Sequence, residues 1–291
     1  MTIYKRNGEK LDYDQSQDLF LEKLYGSLAG RCLLKVLTQP VITELGGAFM
    51  NSSLSKGQIK SFVEKNNIDL NLYESQEYDS YNDFFTRTIK DGVRKIDEDE
   101  DALIAPCDSK LTVYPIADSL QLKIKNSVYT VEDLLMSPAL ADEYRGGLCL
   151  VFRLTVDDYH HYHFIDDGTA DKEHFIQGVF HTVNPIASDY YPIYKTNSRA
   201  YTVLHTKHFG DVVQMEVGAM MVGKITNLQN QSFKRGEEKG YFEFGGSTIV
   251  LLVQRGKVRI DTDLIENSEN GYETIVRMGE RIGKCKLPKR A

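Results

Sequence analysis

The chain has 291 residues, 41% hydrophobic and 26% charged, with 17 Tyr and 13 Phe, which excludes a disordered chain and allows a large core without disulfide support. Its formal net charge of −7 argues against a general nucleic-acid binder. Cys32, Cys107, Cys149 and Cys285 are widely spaced without a Cys-x-x-Cys pair, which disfavours a zinc site or disulfide scaffold and reads as reduced, intracellular thiols. Residues 1–11 hold no signal-peptide core, and no run reaches the roughly 18 apolar residues of a membrane span, so neither secretion nor membrane spanning is expected.

In chain order, Ile3-Tyr4-Lys5-Arg6 and Lys10-Leu11-Asp12-Tyr13 flank Asn7-Gly8 and predict a small β-ribbon. From Leu19 to Met50, apolar residues recur at helical spacing, with Pro40 dividing two helices. Lys23, Arg31 and Lys35 lie among them, so the segment reads either as a core helix pair or as an amphipathic surface for lipid headgroups. Further helices are predicted over Ser55–Lys65 and from Ser80, as cap, to about Lys90. The acidic run Asp97–Asp101 reads as a solvated linker and separates an N-terminal helical region, 1–96, from a region 97–291.

Beyond that linker the texture is β. Runs at 111–115, 120–124, 148–154, 203–206 and 212–217 have strand character, interrupted by a helix start at Thr130 with Asp133 placed to complete a capping box. The expected fold class is α+β, with N-terminal helices followed by a β-rich body of mixed or antiparallel sheets. Late in the chain, Gly245-Gly246-Ser247-Thr248 interrupts a strand-like run from Tyr241 to Val253 and sets a hydroxyl on a bend. Alone, the motif also reads as a plain β-bulge.

Two other stretches supply matching chemistry. Asp108 lies in the turn Ala105-Pro106-Cys107-Asp108-Ser109, and His160, His161 and His163 fall within four residues. Together with Ser247 they provide a carboxylate, an imidazole and a hydroxyl, the components of an activated nucleophile. A metal site is disfavoured because no third ligand follows a recognised zinc spacing. A serine hydrolase fits poorly because the second glycine of a Gly-x-Ser-x-Gly elbow is missing.

With these motifs, and with Phe84-Phe85-Thr86-Arg87, Pro106-Cys107-Asp108, Asp158-Tyr159-His160-x-x-His163, Val217–Ile225 and Met278-Gly279-Glu280-Arg281-Ile282-Gly283 in this order, the sequence resembles the phosphatidylserine decarboxylases. It is similar to the subgroup with Gly-Gly-Ser-Thr in place of Leu-Gly-Ser-Thr. The resemblance implies a proenzyme that cuts itself between Gly246 and Ser247, giving a β chain 1–246 and an α chain 247–291. Ser247 would become a covalent pyruvoyl group, the sole cofactor, which carries the substrate amine as a Schiff base. In that scheme His163 is the base for processing, oriented by Asp108, and His160 handles protons during decarboxylation, while His161 has no assigned part. The implied partner is phosphatidylserine in anionic membranes, met by a peripheral protein on the cytoplasmic side, with a homodimer compatible. Two rival readings stay open at this point: a pyruvoyl decarboxylase of a soluble, aromatic amino acid, and a non-catalytic β-rich binding module.

Overall fold

The computed structural model describes residues 2–11, 16–37, 39–75, 77–124, 127–179, 181, 182, 190, 192–218, 225–228, 231–244 and 247–286. The chain is α+β, with helices first and a β-rich body after them, as the sequence pattern leads one to expect. The ribbon forms between Ile3–Tyr4 and Lys10–Leu11, closed by a loop in which Gly8 donates to the Lys5 carbonyl. Three helices follow rather than two: α1 (Ser16–Gly26), α2 (Leu28–Leu37) and α3 (Pro40–Met50). Pro40 opens α3, where its missing N–H has no intrahelical partner to lose.

The segment has both inward and outward apolar side chains. Leu21, Leu24, Tyr25 and Leu34 point inward and join the main core with Leu103, Phe152 and Phe242. Leu28, Leu33, Leu45 and Phe49 are exposed, as is Leu54 in the following 3₁₀ turn Ser53–Gln58. After α4 (Ile59–Asn66), the helix capped by Ser80 is short: α5 (Tyr81–Phe85). It stops early because the backbone after it has other partners. Glu74 N donates to Thr88 O and Lys90 N to Leu72 O, so the β-branched stretch Thr86–Ile89 runs alongside residues 72–74.

The acidic run keeps its side chains largely in water, but its backbone is held to the body. The Arg235 guanidinium donates to the carbonyls of Asp97, Asp99, Glu100 and Ala102. Beyond it, the main sheet places Arg199–Thr206, Gly210–Val217, Ser247–Val253, Leu148–Leu154 and Ser109–Pro115 side by side, all antiparallel. Glu273–Val276 and the N-terminal ribbon extend this sheet, Ile3–Tyr4 pairing parallel to Glu273–Val276. A three-stranded sheet of Ile225–Asn227, Glu238–Phe242 and His161–His163 packs beside it. The predicted capping box at Thr130 is present, opening the helix Val131–Leu135.

The small sheet is locked to the main one by buried charge. Its register slips between Glu238 and Gly240, a bulge that turns Lys239 inward. Lys239 Nζ lies 2.9 Å from Glu216 Oε1 and donates to Asn227 Oδ1 at 2.8 Å, while Asn227 Nδ2 donates to Glu216 Oε2. Removing one partner of such a pair strands a buried charge, so Lys239→Met is expected to destabilise the protein by about 3–5 kcal/mol. The joint change Lys239→Met with Glu216→Leu should recover most of that loss. Urea denaturation of the three proteins measures the difference, and additive losses would contradict the coupling.

Candidate active site

Ser247 is the first residue of a strand bonded on both flanks. It pairs with Leu154, and its side chain shares a face with Ile249 and Leu251, directed into the main core. That pattern buries the hydroxyl completely, and Oγ has no hydrogen-bond partner among the described residues. An unsatisfied buried polar group is destabilising by about 1–3 kcal/mol, so natural folds seldom retain one without a use for it. Gly245 and Gly246 lie outside the described residues. The segment leading to them is anchored: Phe244 N donates to Asn82 Oδ1 at 2.8 Å, and its ring meets Tyr81 and Phe85 edge-on at 4.9 and 5.4 Å.

The histidines come from the small sheet, opposite the strand that feeds this segment. Phe242 N donates to the His160 carbonyl, and His161 pairs with Tyr241. The His160 ring is fully buried against Phe85, with centroids 4.0 Å apart. Its Nδ1 sits 2.9 Å from the Asp158 carbonyl. A carbonyl only accepts, so Nδ1 carries the proton, and the unpartnered Nε2 presents a lone pair. Burial, assisted by the charges of Arg87 and Lys110, lowers the His160 pKa from 6.5 to about 3. The turn before it is pinned by Asp158, which accepts from Lys110 Nζ at 2.6 Å and from Thr155 N at 2.7 Å.

His163 is likewise neutral. Burial lowers its pKa to about 4 against the opposing charges of Glu238 and Asp108, and its Nδ1 has no partner. Its backbone N–H donates to Pro106 O at 2.8 Å, which brings His163 up to the turn that carries Asp108. The side chains of these two residues are not hydrogen-bonded among the described contacts. Asp108 Oδ1 instead accepts from Arg94 Nε and Met278 N, both at 2.9 Å, and Oδ2 from Arg277 at 3.1 Å. Burial alone would raise the Asp108 pKa, but Arg94, Arg277 and the Met278 N–H outweigh it and hold the carboxyl below its ordinary value.

His161 is built in structurally. Its ring stacks between Tyr159 and Tyr241, Nε2 meets the Thr86 carbonyl at 3.0 Å, and Nδ1 lies 3.1 Å from Glu238 Oε1. The structure therefore brings His160 and His163 onto one short segment, ties that segment to the Asp108 turn, and sets it beside the chain running into Ser247. An open cavity of about 530 Å³, lined by Asp97, Glu98, Glu100, Asp166, His208 and Arg235, includes none of these residues. Among the described residues, no cluster of His, Cys, Asp and Glu is arranged to hold a metal ion.

Several contributors were not singled out by sequence reasoning. Arg94 and Arg277 lie 14 and 169 positions from Asp108, a separation that only the fold closes. A signal exists for the second: Arg277 directly precedes the motif Met278-Gly279-Glu280, whose turn pairs with the Ala105–Asp108 turn, Gly279 N donating to Ala105 O.

A family model described as phosphatidylserine decarboxylase matches residues 81–284 of the chain. The chain belongs to the phosphatidylserine decarboxylase family. It is 46% identical over 286 residues to phosphatidylserine decarboxylase proenzyme 2 of Clostridium acetobutylicum, covering 98% of each chain. The phosphatidylserine decarboxylase proenzymes of Clostridium tetani and Clostridium perfringens are 41% and 38% identical, each over 97% of this chain and over 94% and 98% of their own lengths. In this family member, a carboxy-lyase by its membership, α5, the Asp108 turn, the histidine segment and the Ser247–Val253 strand thus fall within the matched region.

The neutral histidines make stability pH-dependent. Unfolded, each titrates near 6.5; folded, His163 titrates near 4 and His160 near 3, so between these values the unfolded chain binds more protons. Their contribution is therefore fully present above about pH 6.5 and is lost as pH falls toward 4. Urea midpoints measured from pH 7.5 to 4.5 should fall, and His163→Asn should flatten the decline. Parallel curves for the two proteins would contradict this assignment.

Proposed function

We propose that the chain is a proenzyme that cuts itself between Gly246 and Ser247 and then converts phosphatidylserine to phosphatidylethanolamine at a membrane surface. The observation that carries this reading is the buried Ser247 hydroxyl, without a partner among the described residues, at the head of a strand whose lead-in segment Tyr241–Phe242 pairs with the segment carrying two neutral imidazoles. In the processing step, His163 takes the Ser247 hydroxyl proton as Oγ attacks the Gly246 carbonyl and the amide nitrogen leaves. The resulting ester loses its carboxylate by β-elimination, giving a free end at Gly246 and a dehydroalanine at position 247. Water then replaces that residue's nitrogen, which departs as ammonia. Asp108 contributes through its negative charge and by fixing the turn whose Pro106 carbonyl holds the His163 backbone.

The residues at position 247 fit the pyruvoyl group that the family's chemistry calls for. Position 247 is closed to bulk water and apolar on the Ile249 face. A pyruvoyl carbonyl supplies an electron sink for the pair left when CO₂ departs. His160 keeps Nε2 available to hold or return a proton near that carbon, and Phe85, packed at a tilt against its ring, fixes the orientation.

Substrate access points to a peripheral protein. No described helix is long and apolar enough to cross a membrane. Leu28, Leu33, Leu45, Phe49 and Leu54 stand exposed in the 1–96 region. Acyl chains leave a bilayer at a cost of about 0.8 kcal/mol per CH₂, so the enzyme must come to the lipid on these side chains.

Intact mass should show two fragments, 1–246 and 247–291, the second with a blocked N-terminus. Ser247→Ala should remain one chain. His163→Ala and Asp108→Asn should slow cleavage, the former by roughly 10²–10⁴-fold as a lost general base, and normal processing in both would remove the proposed roles. His160→Ala should cleave yet fail to release CO₂ from phosphatidylserine vesicles. Release from free aromatic amino acids in place of vesicles would assign the soluble-substrate reading instead.

A further inference from the structure

Five cationic side chains are buried in the described structure: Arg87, Lys110, Arg153, Arg199 and Lys239. Lys110, Arg153 and Lys239 each contact a carboxylate, Asp158, Glu273 and Glu216, at 2.6 to 2.9 Å. Arg199 has no carboxylate, but its nitrogens donate to four carbonyls, those of Leu134, Asp133, Lys195 and Asn197. Arg87 has neither arrangement. It is 3% exposed, forms no ion pair among the described residues, and makes two long hydrogen bonds, to Phe84 O at 3.2 Å and to the Tyr73 hydroxyl at 3.3 Å. Its Nε has no partner among the described residues.

A buried guanidinium without a counter-charge is expensive, and the faces of Tyr73 and Phe84, 4.4 and 4.7 Å away, offset only part of that expense. Its position is informative. The two residues before it both touch the histidine segment: the Phe85 ring lies on His160, and the Thr86 carbonyl meets His161 Nε2. The charge of Arg87 is also near enough to His160 to add to burial in lowering that pKa. Nearby, Phe244 covers Phe85 from the segment just ahead of Ser247, so cutting after Gly246 gives this cover a free end.

We propose that Arg87 is the receptor for an oxyanion of the substrate head group. This rests on the proposed reading of the site as a head-group decarboxylase. Two oxyanions are candidates in a serine phospholipid, the phosphodiester and the carboxylate. The phosphodiester is favoured on chemical grounds: a cation that stabilised the carboxylate would oppose its loss, whereas the phosphodiester keeps its charge throughout and offers uniform binding. The planar guanidinium also matches a phosphate with parallel N–H donors, which an ammonium cannot reproduce.

The test uses self-cleaved wild-type protein beside Arg87→Gln and Arg87→Lys. In wild type, glycerophosphoethanolamine, which has the phosphodiester but no carboxylate, should raise the thermal midpoint and compete with phosphatidylserine vesicles. Arg87→Gln should still cleave into its two fragments, lose that protection, and show a KM for vesicles raised roughly 10- to 100-fold with kcat changed far less. Arg87→Lys, with charge but no fork, should fall between them, and it replaces the Gln variant if the latter does not fold. Loss of protection by free serine, with that by glycerophosphoethanolamine kept, would assign the carboxylate instead. Equal protection of wild type and variant, or protection of wild type by neither probe, overturns the proposal. Wild-type protein that is protected yet releases no CO₂ would leave Arg87 as an oxyanion site and count against the decarboxylase reading alone.

Discussion

The two halves of the candidate site belong to different sheets, and one buried ion pair reaches across them. Lys239 comes from the bulge in the small sheet that also carries His161–His163; Glu216 lies in the main sheet, paired in register with Ile249, two residues from Ser247. A pair of this kind adds little net stability over apolar residues of the same shape, because desolvation offsets most of its attraction. What it supplies is register. If the small sheet slid by one residue, Lys239 would face away from Glu216 and both charges would be stranded. The histidine segment is thereby held to one position against the strand that begins with Ser247.

Within this frame, the carboxylates that flank the histidine segment are bonded, while Ser247 and several other buried polar groups are not. Asp158 accepts three hydrogen bonds and Asp108 is held by two arginines and a backbone N–H, but Ser247 Oγ, His160 Nε2, His163 Nδ1 and Arg87 Nε have no partner among the described residues. Their tight surroundings hold these groups in place without consuming their bonding capacity. The instability they introduce is local and is tolerated because the main-sheet core on the same face, from Leu150 and Phe152 to Ile249 and Leu251, is continuous.

Much of this was legible in the sequence because it is encoded over short distances. The strand at Leu148–Leu154, the capping box at Thr130, the Ser80 cap and the break at Pro40 depend on residues within a few positions of one another, and the fold keeps them. The helix expected to reach Lys90 ended at Phe85 because its partners, residues 72–74, belong to another segment that propensity does not register. For the same reason, the sequence pattern does not reveal Arg94 and Arg277, which occupy the oxygens of Asp108. Opposite charges attract at any sequence separation, and only the fold says which of the 35 basic residues arrives. The α1–α2 pair was ambiguous for another reason. α1 turns Leu21, Leu24 and Tyr25 inward, while α2 turns Leu34 inward and Leu28 and Leu33 outward, and hydrophobicity alone does not say which of these meets protein.

The pairing of the Ser247–Val253 strand has a consequence for the life history of the molecule. A chain opened before Ser247 would leave its C-terminal piece holding the centre of the main sheet, with ladders to Gly210–Val217 on one side and Leu148–Leu154 on the other, and with Glu273–Val276 bonded to Ser109–Pro115 further along. Such a piece cannot diffuse away without the sheet coming apart. Nor does a route back exist once it has, because those ladders formed when their partners were tethered in one chain and the closure entropy was limited by the connecting loop. The cut form would then be a kinetically trapped structure, persisting by its unfolding barrier and with no memory in its separate parts of how to reassemble.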